Sequence, residues 1–186
     1  VNGVEKLACI TPIDAVTADG GSITVEPLRH FPIVSDLVVD MSLLHRRLDE
    51  IGFVAVQPIE AALAPPPAKP QTASRVPPEF VRLVDCLECG LCISACPITG
   101  SNPDYLGPAA LAAIQHLLSA GGQTPSDPLQ RADNAEGLWR CHAAYECTAV
   151  CPASVEPGER IMNLRQQAIG RRFNRLFRKG NRRKSS

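Results

Sequence analysis

No stretch of the 186 residues approaches eighteen consecutive apolar positions, so no segment reads as a membrane-spanning helix. Nothing at the start has the charged, apolar and small-residue regions of a signal peptide, and the chain is expected to be soluble by itself. Aromatic residues make up only 4% of the chain, with a single Trp, too few for the stacking platform of a single-stranded nucleic-acid binder. There is no G-x-G-x-x-G run to cradle a dinucleotide. Acidic residues are missing from the last sixteen positions. All 19 acidic residues lie in 1–170, whereas 171–186 hold eight of the 19 basic ones. The formal charge of zero therefore hides a basic tail, read here as a solvated appendage that would gain about 1 kcal/mol per residue beside an anionic leaflet.

What the chain has is cysteine in a strict pattern. Cys86-Leu87-Glu88-Cys89-Gly90-Leu91-Cys92-Ile93-Ser94-Ala95-Cys96-Pro97 is the C-x2-C-x2-C-x3-C-P run of bacterial-type ferredoxins, in which three thiolates hold one iron-sulfur cluster and the fourth serves the other. A second run, Cys141, Cys147, Cys151 and Pro152, ends in the same C-x3-C-P but has Ala144 where its second cysteine belongs. Exchanging the fourth ligands gives Cys86, Cys89, Cys92 and Cys151 to one cluster, suited to 4Fe-4S. Cys96, Cys141 and Cys147 go to the other, suited to 3Fe-4S because alanine cannot bind the missing iron. Structural zinc prefers two separated pairs around one ion and fits this run poorly. Disulfide frameworks belong to small secreted chains, and thiols two residues apart on tight turns argue against one. Cys9 stands alone, either as a small buried residue or as the distant fourth ligand of a plant-type 2Fe-2S centre.

The organisation around these runs is expected as follows. Residues 1–30 read as the end of a β-rich module, with Asn2-Gly3 a hairpin turn, extended segments at Lys6–Pro12 and Ala15–Thr17, a turn at Asp19–Gly21 and an alternating strand at Ser22–Pro27. Leu37, Met41, Leu44, Leu48 and Ile51 predict one helix from Ser35 to Ile51, capped by Ser35, with Gly52 following and His45 on its wet face. The prolines of residues 61–78 mark a linker. Pro108, Leu111, Ile114, Leu117 and Leu118 predict a helix stopped at Gly121-Gly122, residues 123–137 a polar loop, and Pro157, Ile161, Leu164 and Ala168 a last helix fading into the tail. Trp139 is expected to pack against the cluster domain.

The chain resembles the iron-sulfur subunits of succinate dehydrogenase and fumarate reductase. The likeness runs through Asn2-Gly3, Leu7-Ala8-Cys9, Asp36–Asp40, the first cysteine run, Asn102-Pro103-Asp104-Tyr105-Leu106-Gly107-Pro108, Arg140-Cys141-His142 and Val150-Cys151-Pro152. It implies an α+β chain: residues 1–60 the C-terminal part of a β-grasp 2Fe-2S ferredoxin domain with Cys9 as a ligand, 61–78 the linker, 79–170 an all-α bacterial-ferredoxin-like domain with 4Fe-4S and 3Fe-4S, and 171–186 the basic tail. It further implies electron transfer between the FAD of a flavoprotein subunit, where succinate and fumarate interconvert, and a quinone beside cytochrome b-type membrane anchors. The expected place is the cytoplasmic face of the cell membrane, or the matrix side in a mitochondrion. No nucleic acid is implied. Pro97, Ser101 and His142 fall at the family's quinone site, although Ser101 stands where many members carry Trp, and His142 reads equally as a hydrogen-bond donor toward cluster sulfur. The 2Fe-2S domain takes three more cysteines than are present, which reads as an N-terminally truncated chain. The competing class is a carrier subunit of heterodisulfide-reductase-like or glycerol-3-phosphate-dehydrogenase-like type with two 4Fe-4S clusters, which would need the cysteine that Ala144 replaces.

Overall fold

The computed structural model describes residues 1–17, 21–52, 86–120 and 127–182. The linker, the Asp19-Gly20 turn and the Gly121-Gly122 stop lie outside them. Within them the chain is mainly helical, with one small antiparallel sheet. β1 (Ile33–Ser35) and β2 (Val38–Val39) form a two-stranded hairpin with a register irregularity. The helices are α1 (Ser42–Glu50), α2 (Leu91–Ser94), α3 (Pro97–Ser101), α4 (Gly107–Ala120), α5 (Pro128–Ala132), α6 (Glu146–Ala149) and α7 (Pro157–Arg182).

The Asn2-Gly3 turn forms as expected, both residues at positive φ and Val4 N donating to Val1 O at 3.0 Å. The strands expected beyond it do not. Ala8–Ile10 and Ile13–Ala15 are 3-10 turns. Residues 22–27 form no strand; among the described residues Asn2 N donates to Thr24 O and Asn2 Oδ1 accepts from Thr24 N. Alternation makes a strand only where a second strand is alongside to take its amides.

The single helix expected from Ser35 to Ile51 is corrected to a hairpin followed by a shorter helix. Asp36, at φ 50°, turns the chain between the β-branched pairs Ile33-Val34 and Val38-Val39, residues that fit a pleated edge better than a helix. The N-cap is therefore Met41 and not Ser35, and Asp40 just before it accepts from Ser42 N at 2.8 Å. The rest of the stripe behaves as read, with Leu44, Leu48 and Ile51 buried.

α1 packs on α4, and α4 on α7. One core joins Phe31, Leu44 and Leu48 from the N-terminal segment to Ile93, Ile98, Tyr105, Leu111, Ile114, Leu138, Ile161 and Leu164. α4 is built on an alanine-rich run that forms helix readily and lets neighbours approach closely. Part of the expected polar loop is instead α5, with Pro128 in its first turn and Asp127 as N-cap, accepting from Leu129 N and Gln130 N.

The tail also differs from expectation. α7 runs unbroken to Arg182, well past residue 170. Arg171 pairs with Asp127, and Arg172 with Asp133 at 2.5 Å, so two of the charges that argued for a loose tail anchor the helix.

Candidate functional site

The two cysteine runs adopt one backbone design, displaced by 55 residues. α2 (Leu91–Ser94) corresponds to α6 (Glu146–Ala149), and each is preceded by a residue in the left-handed region, Gly90 at φ 77° and Tyr145 at φ 62°. Two residues earlier the chain again turns left-handed, at Glu88 (φ 51°) and Ala143 (φ 57°). These alternating turns aim the flanking residues of a C-x2-C segment inward. The match sets Cys86, Cys92 and Cys96 against Cys141, Cys147 and Cys151, and Cys89 against Ala144.

The cysteines collect around two cavities. One is lined by Cys86, Cys89, Cys92 and Cys151, with Leu44, Leu48, Ala112 and Val155 among its apolar walls. The other is lined by Cys96, Cys141 and Cys147, with Tyr105, Pro108, Gly158 and Ile161 on the inner side and Pro97, His142, Ala144 and Tyr145, all exposed, on the outer side. Among the described residues, no three His, Cys, Asp or Glu side chains close on one point as a single bound ion requires. Thiols ringing a hollow fit a polynuclear cluster better than zinc.

Burial raises the Cys86 thiol pKa and raises that of Cys92 well above the ordinary value, with neighbouring cysteines adding to the effect. Cys147 is pushed up to about 12 by burial and then by Cys96 and Cys141. These thiols are poor thiolates alone and need cationic iron to ionise. Backbone amides already point at two sulfurs: Ala143 N donates to Cys141 Sγ and Val155 N to Cys151 Sγ, each at 3.4 Å.

Three supporting residues escaped the motif reading. Tyr105 is 1% exposed and lines the second cavity beside Cys96, Cys141 and Cys147. Arg165 of α7 donates to Leu138 O at 2.7 Å and also to Cys141 O, fixing the entry to the second run. Ser94 Oγ, between Cys92 and Cys96 of the first run, donates to Glu5 Oε1 at 3.1 Å and accepts from Arg29 N at 2.9 Å, tying the N-terminal segment to the cysteines. Tyr105 could have been found as the one aromatic between the first cysteine run and α4; an arginine on the charged side of a helix gives no such signal.

Of the remaining candidates, Pro97 and His142 line the second cavity, whereas Ser101 does not and donates its hydroxyl to Ile98 O. Cys9 is exposed on the first 3-10 turn and lines neither cysteine cavity. Trp139, expected to pack against the cluster domain, is 37% exposed and lies under Arg172 at 5.0 Å and Arg165 at 5.9 Å, with Nε1 donating to Asp133.

Residues 82–155 match the family model described as a 4Fe-4S dicluster domain, and residues 1–46 one described as a 2Fe-2S iron-sulfur cluster binding domain. The fumarate reductase iron-sulfur subunit of Mycobacterium tuberculosis (strain CDC 1551 / Oshkosh) is 34% identical over 181 residues, covering 95% of this chain and 70% of the relative. The chain belongs to the fumarate reductase and succinate dehydrogenase iron-sulfur subunit family. The succinate dehydrogenase iron-sulfur subunit of Paracoccus denitrificans is 30% identical, with 92% of this chain and 64% of the relative covered. A chain of the Mycobacterium smegmatis Sdh1 complex in the apo form shares the fold, with a TM-score of 0.71 at 24% identity over 92% of this chain and 71% of that one. The resemblance read from the motifs is borne out, and as a member of this family the chain is an iron-sulfur protein. It spans 64% to 70% of the length of these curated relatives. No helix among the described residues is long and apolar enough to cross a membrane.

Proposed function

We propose that this chain is the electron-transferring subunit of a succinate dehydrogenase or fumarate reductase, working between the FAD of a flavoprotein partner and a quinone at membrane anchor subunits. What carries the reading is the pair of cavities, one with four cysteines and one with three, and Ala144 at the position that Cys89 holds in the first run. Cys86, Cys89, Cys92 and Cys151 hold 4Fe-4S; Cys96, Cys141 and Cys147 hold 3Fe-4S. Bound clusters of these kinds accept and donate single electrons. The protein's part is to keep water away with Leu44, Leu48, Ala112 and Ile161, to present the Ala143, Val155 and Tyr105 donors to sulfur, and to leave Pro97 and His142 on the outer rim as the quinone-facing side.

The layout of 1–60 as part of a β-grasp domain and 79–170 as a helical ferredoxin domain belongs to the same reading, with α7 lengthening the second into the tail. Cys9 is proposed as a 2Fe-2S ligand because it lies within the stretch that matches the 2Fe-2S model. It is the only cysteine in residues 1–46, and the residues present do not by themselves hold that cluster. Peripheral attachment at the cytoplasmic or matrix face of a membrane completes the proposal.

The test is iron and sulfide analysis with EPR on anaerobically prepared protein. Seven irons in the two cysteine cavities, with a 3Fe-4S signal in the oxidised state and a silent four-iron cluster, is the expected result. Two four-iron clusters would overturn the ligand division.

A further inference from the structure

We infer that the distal half of α7 is an amphipathic helix that lies on an anionic lipid surface. The helix is buried at Ile161, Leu164 and Ala168, which are 0%, 0% and 1% exposed, and residues 169–175 are exposed. Beyond that point its sequence divides by face. Ile169 and Phe173 are four residues apart and 47% and 57% exposed, and Leu176 and Phe177 fall three and four positions further on, the i, i+4, i+7, i+8 spacing of one apolar stripe. At about 100° per residue, Arg171, Arg175, Arg178 and Arg182 fall around the opposite side, with Arg172 and Lys179 flanking them. No acidic residue follows Glu159.

The rotation of the helix is fixed by contacts already described. Arg171 and Arg172 are held by Asp127 and Asp133, which lie on the flanks of α5. Those two pairs hold Arg171 and Arg172 against the ends of α5, while Ile169 and Phe173 are 47% and 57% exposed. An apolar stripe backed by Arg and Lys is the pattern of helices that sit in the plane of a membrane interface, the apolar side among the acyl chains and the cations among the headgroups. Charge complementarity selects anionic lipid as the occupant, because the stretch from Arg171 onward carries eight basic residues and no acidic one to match a neutral or cationic partner. The inference rests on the helix itself and stands whether or not the proposed electron route is right.

The experiment is cosedimentation of the cluster-loaded full chain with vesicles, at low and high salt. One set is pure phosphatidylcholine and the other contains phosphatidylglycerol as well. Binding to the anionic vesicles, weak on phosphatidylcholine and falling as salt rises, is the expected result. Phe173→Asp and Arg175→Glu/Lys179→Glu should each reduce binding roughly tenfold or more, while circular dichroism and cluster absorbance stay as in the parent. Binding that ignores the lipid charge, or that survives both variants, overturns the inference. So does attachment only to vesicles carrying the anchor subunits, which would assign the stripe to a protein partner. If one variant loses its clusters, the other still decides.

Discussion

A Cβ on Gly100 would sit 2.3 Å from Cε1 and 2.6 Å from Nδ1 of His30. The imidazole rests on the bare backbone of α3, one turn beyond Cys96, and so closes the N-terminal segment over the first cysteine run. Gly100→Ala gains about 1 kcal/mol of helix propensity but must displace the ring, at a cost of roughly 1–3 kcal/mol for overpacking. A net loss of stability is expected in the parent. In a His30→Ala background the same change should become neutral or stabilising. Thermal melts of the four proteins measure the coupling, and additive effects would mean that the two residues do not meet.

How much of this could be read in advance varies with how local the cause is. The cysteine spacing is chemistry written along the chain, and the inner stripe of α4 and the buried stripe of α7 are periodicities that a helix must obey. The 33–39 hairpin was missed because Leu37 and Met41 extend the α1 period backward, while Asp36 in the left-handed region decides the turn. Residues 22–27 alternate as a strand does, but a strand depends on a neighbour that local pattern does not contain. The end of α7 was missed because like charges argue for a loose tail unless Asp127 and Asp133, some forty residues earlier, are known to stand beside them. Arg165 acts on Cys141 across the fold, and no spacing marks it.

Asp133 gathers the Trp139 indole N–H at 2.7 Å and the Arg172 guanidinium at 2.5 and 3.0 Å. The Arg172 hydrogen bond holds its carboxyl below the usual range, and Arg171 does the same for Asp127. A carboxyl whose folded pKa is lowered stabilises the protein above the unfolded value, about 3.9, and loses that contribution as pH falls through the folded value. The Tm gap between the parent and Asp133→Asn should therefore be a few degrees and the same at pH 7, 5.5 and 4.5. A gap that has already shrunk at pH 5.5 would contradict the ion pair.

Tyr105 lines the cavity of Cys96, Cys141 and Cys147, and burial, followed by the charges of Cys141 and Cys96, raises its pKa so far that it stays protonated. Its O–H is therefore available to donate to a thiolate sulfur there. A donor to sulfur favours the reduced, more negative cluster. Tyr105→Phe keeps the ring and removes the donor, and should lower the midpoint potential of the second cluster by roughly 30–60 mV, the equivalent of about 0.7–1.4 kcal/mol for one electron. Redox titration followed by EPR reads the shift directly, and the first cluster serves as an internal control. An unchanged potential in the second cluster would reduce Tyr105 to a packing residue.

The strongest test of the site falls on Ala144. Its backbone is set as Cys89 is set, between left-handed residues at 143 and 145 as Cys89 lies between Glu88 and Gly90, and it lines the three-cysteine cavity from the exposed side. A thiol at this position needs no rearrangement of the chain to face the same hollow as Cys96, Cys141 and Cys147. Ala144→Cys should thus complete a four-thiolate set. Iron analysis should then rise from seven to eight per chain in the two cavities, the oxidised three-iron EPR signal should fade, and the potential of the site should drop, because an added thiolate raises the negative charge around the iron. Ala144→Ser is the matched control, since a hydroxyl of the same size is a far weaker iron ligand and should leave the signal as it is. Persistence of the three-iron signal in the cysteine variant would mean that residue 144 does not face the vacant corner, and the correspondence between the two runs would then end at their backbones.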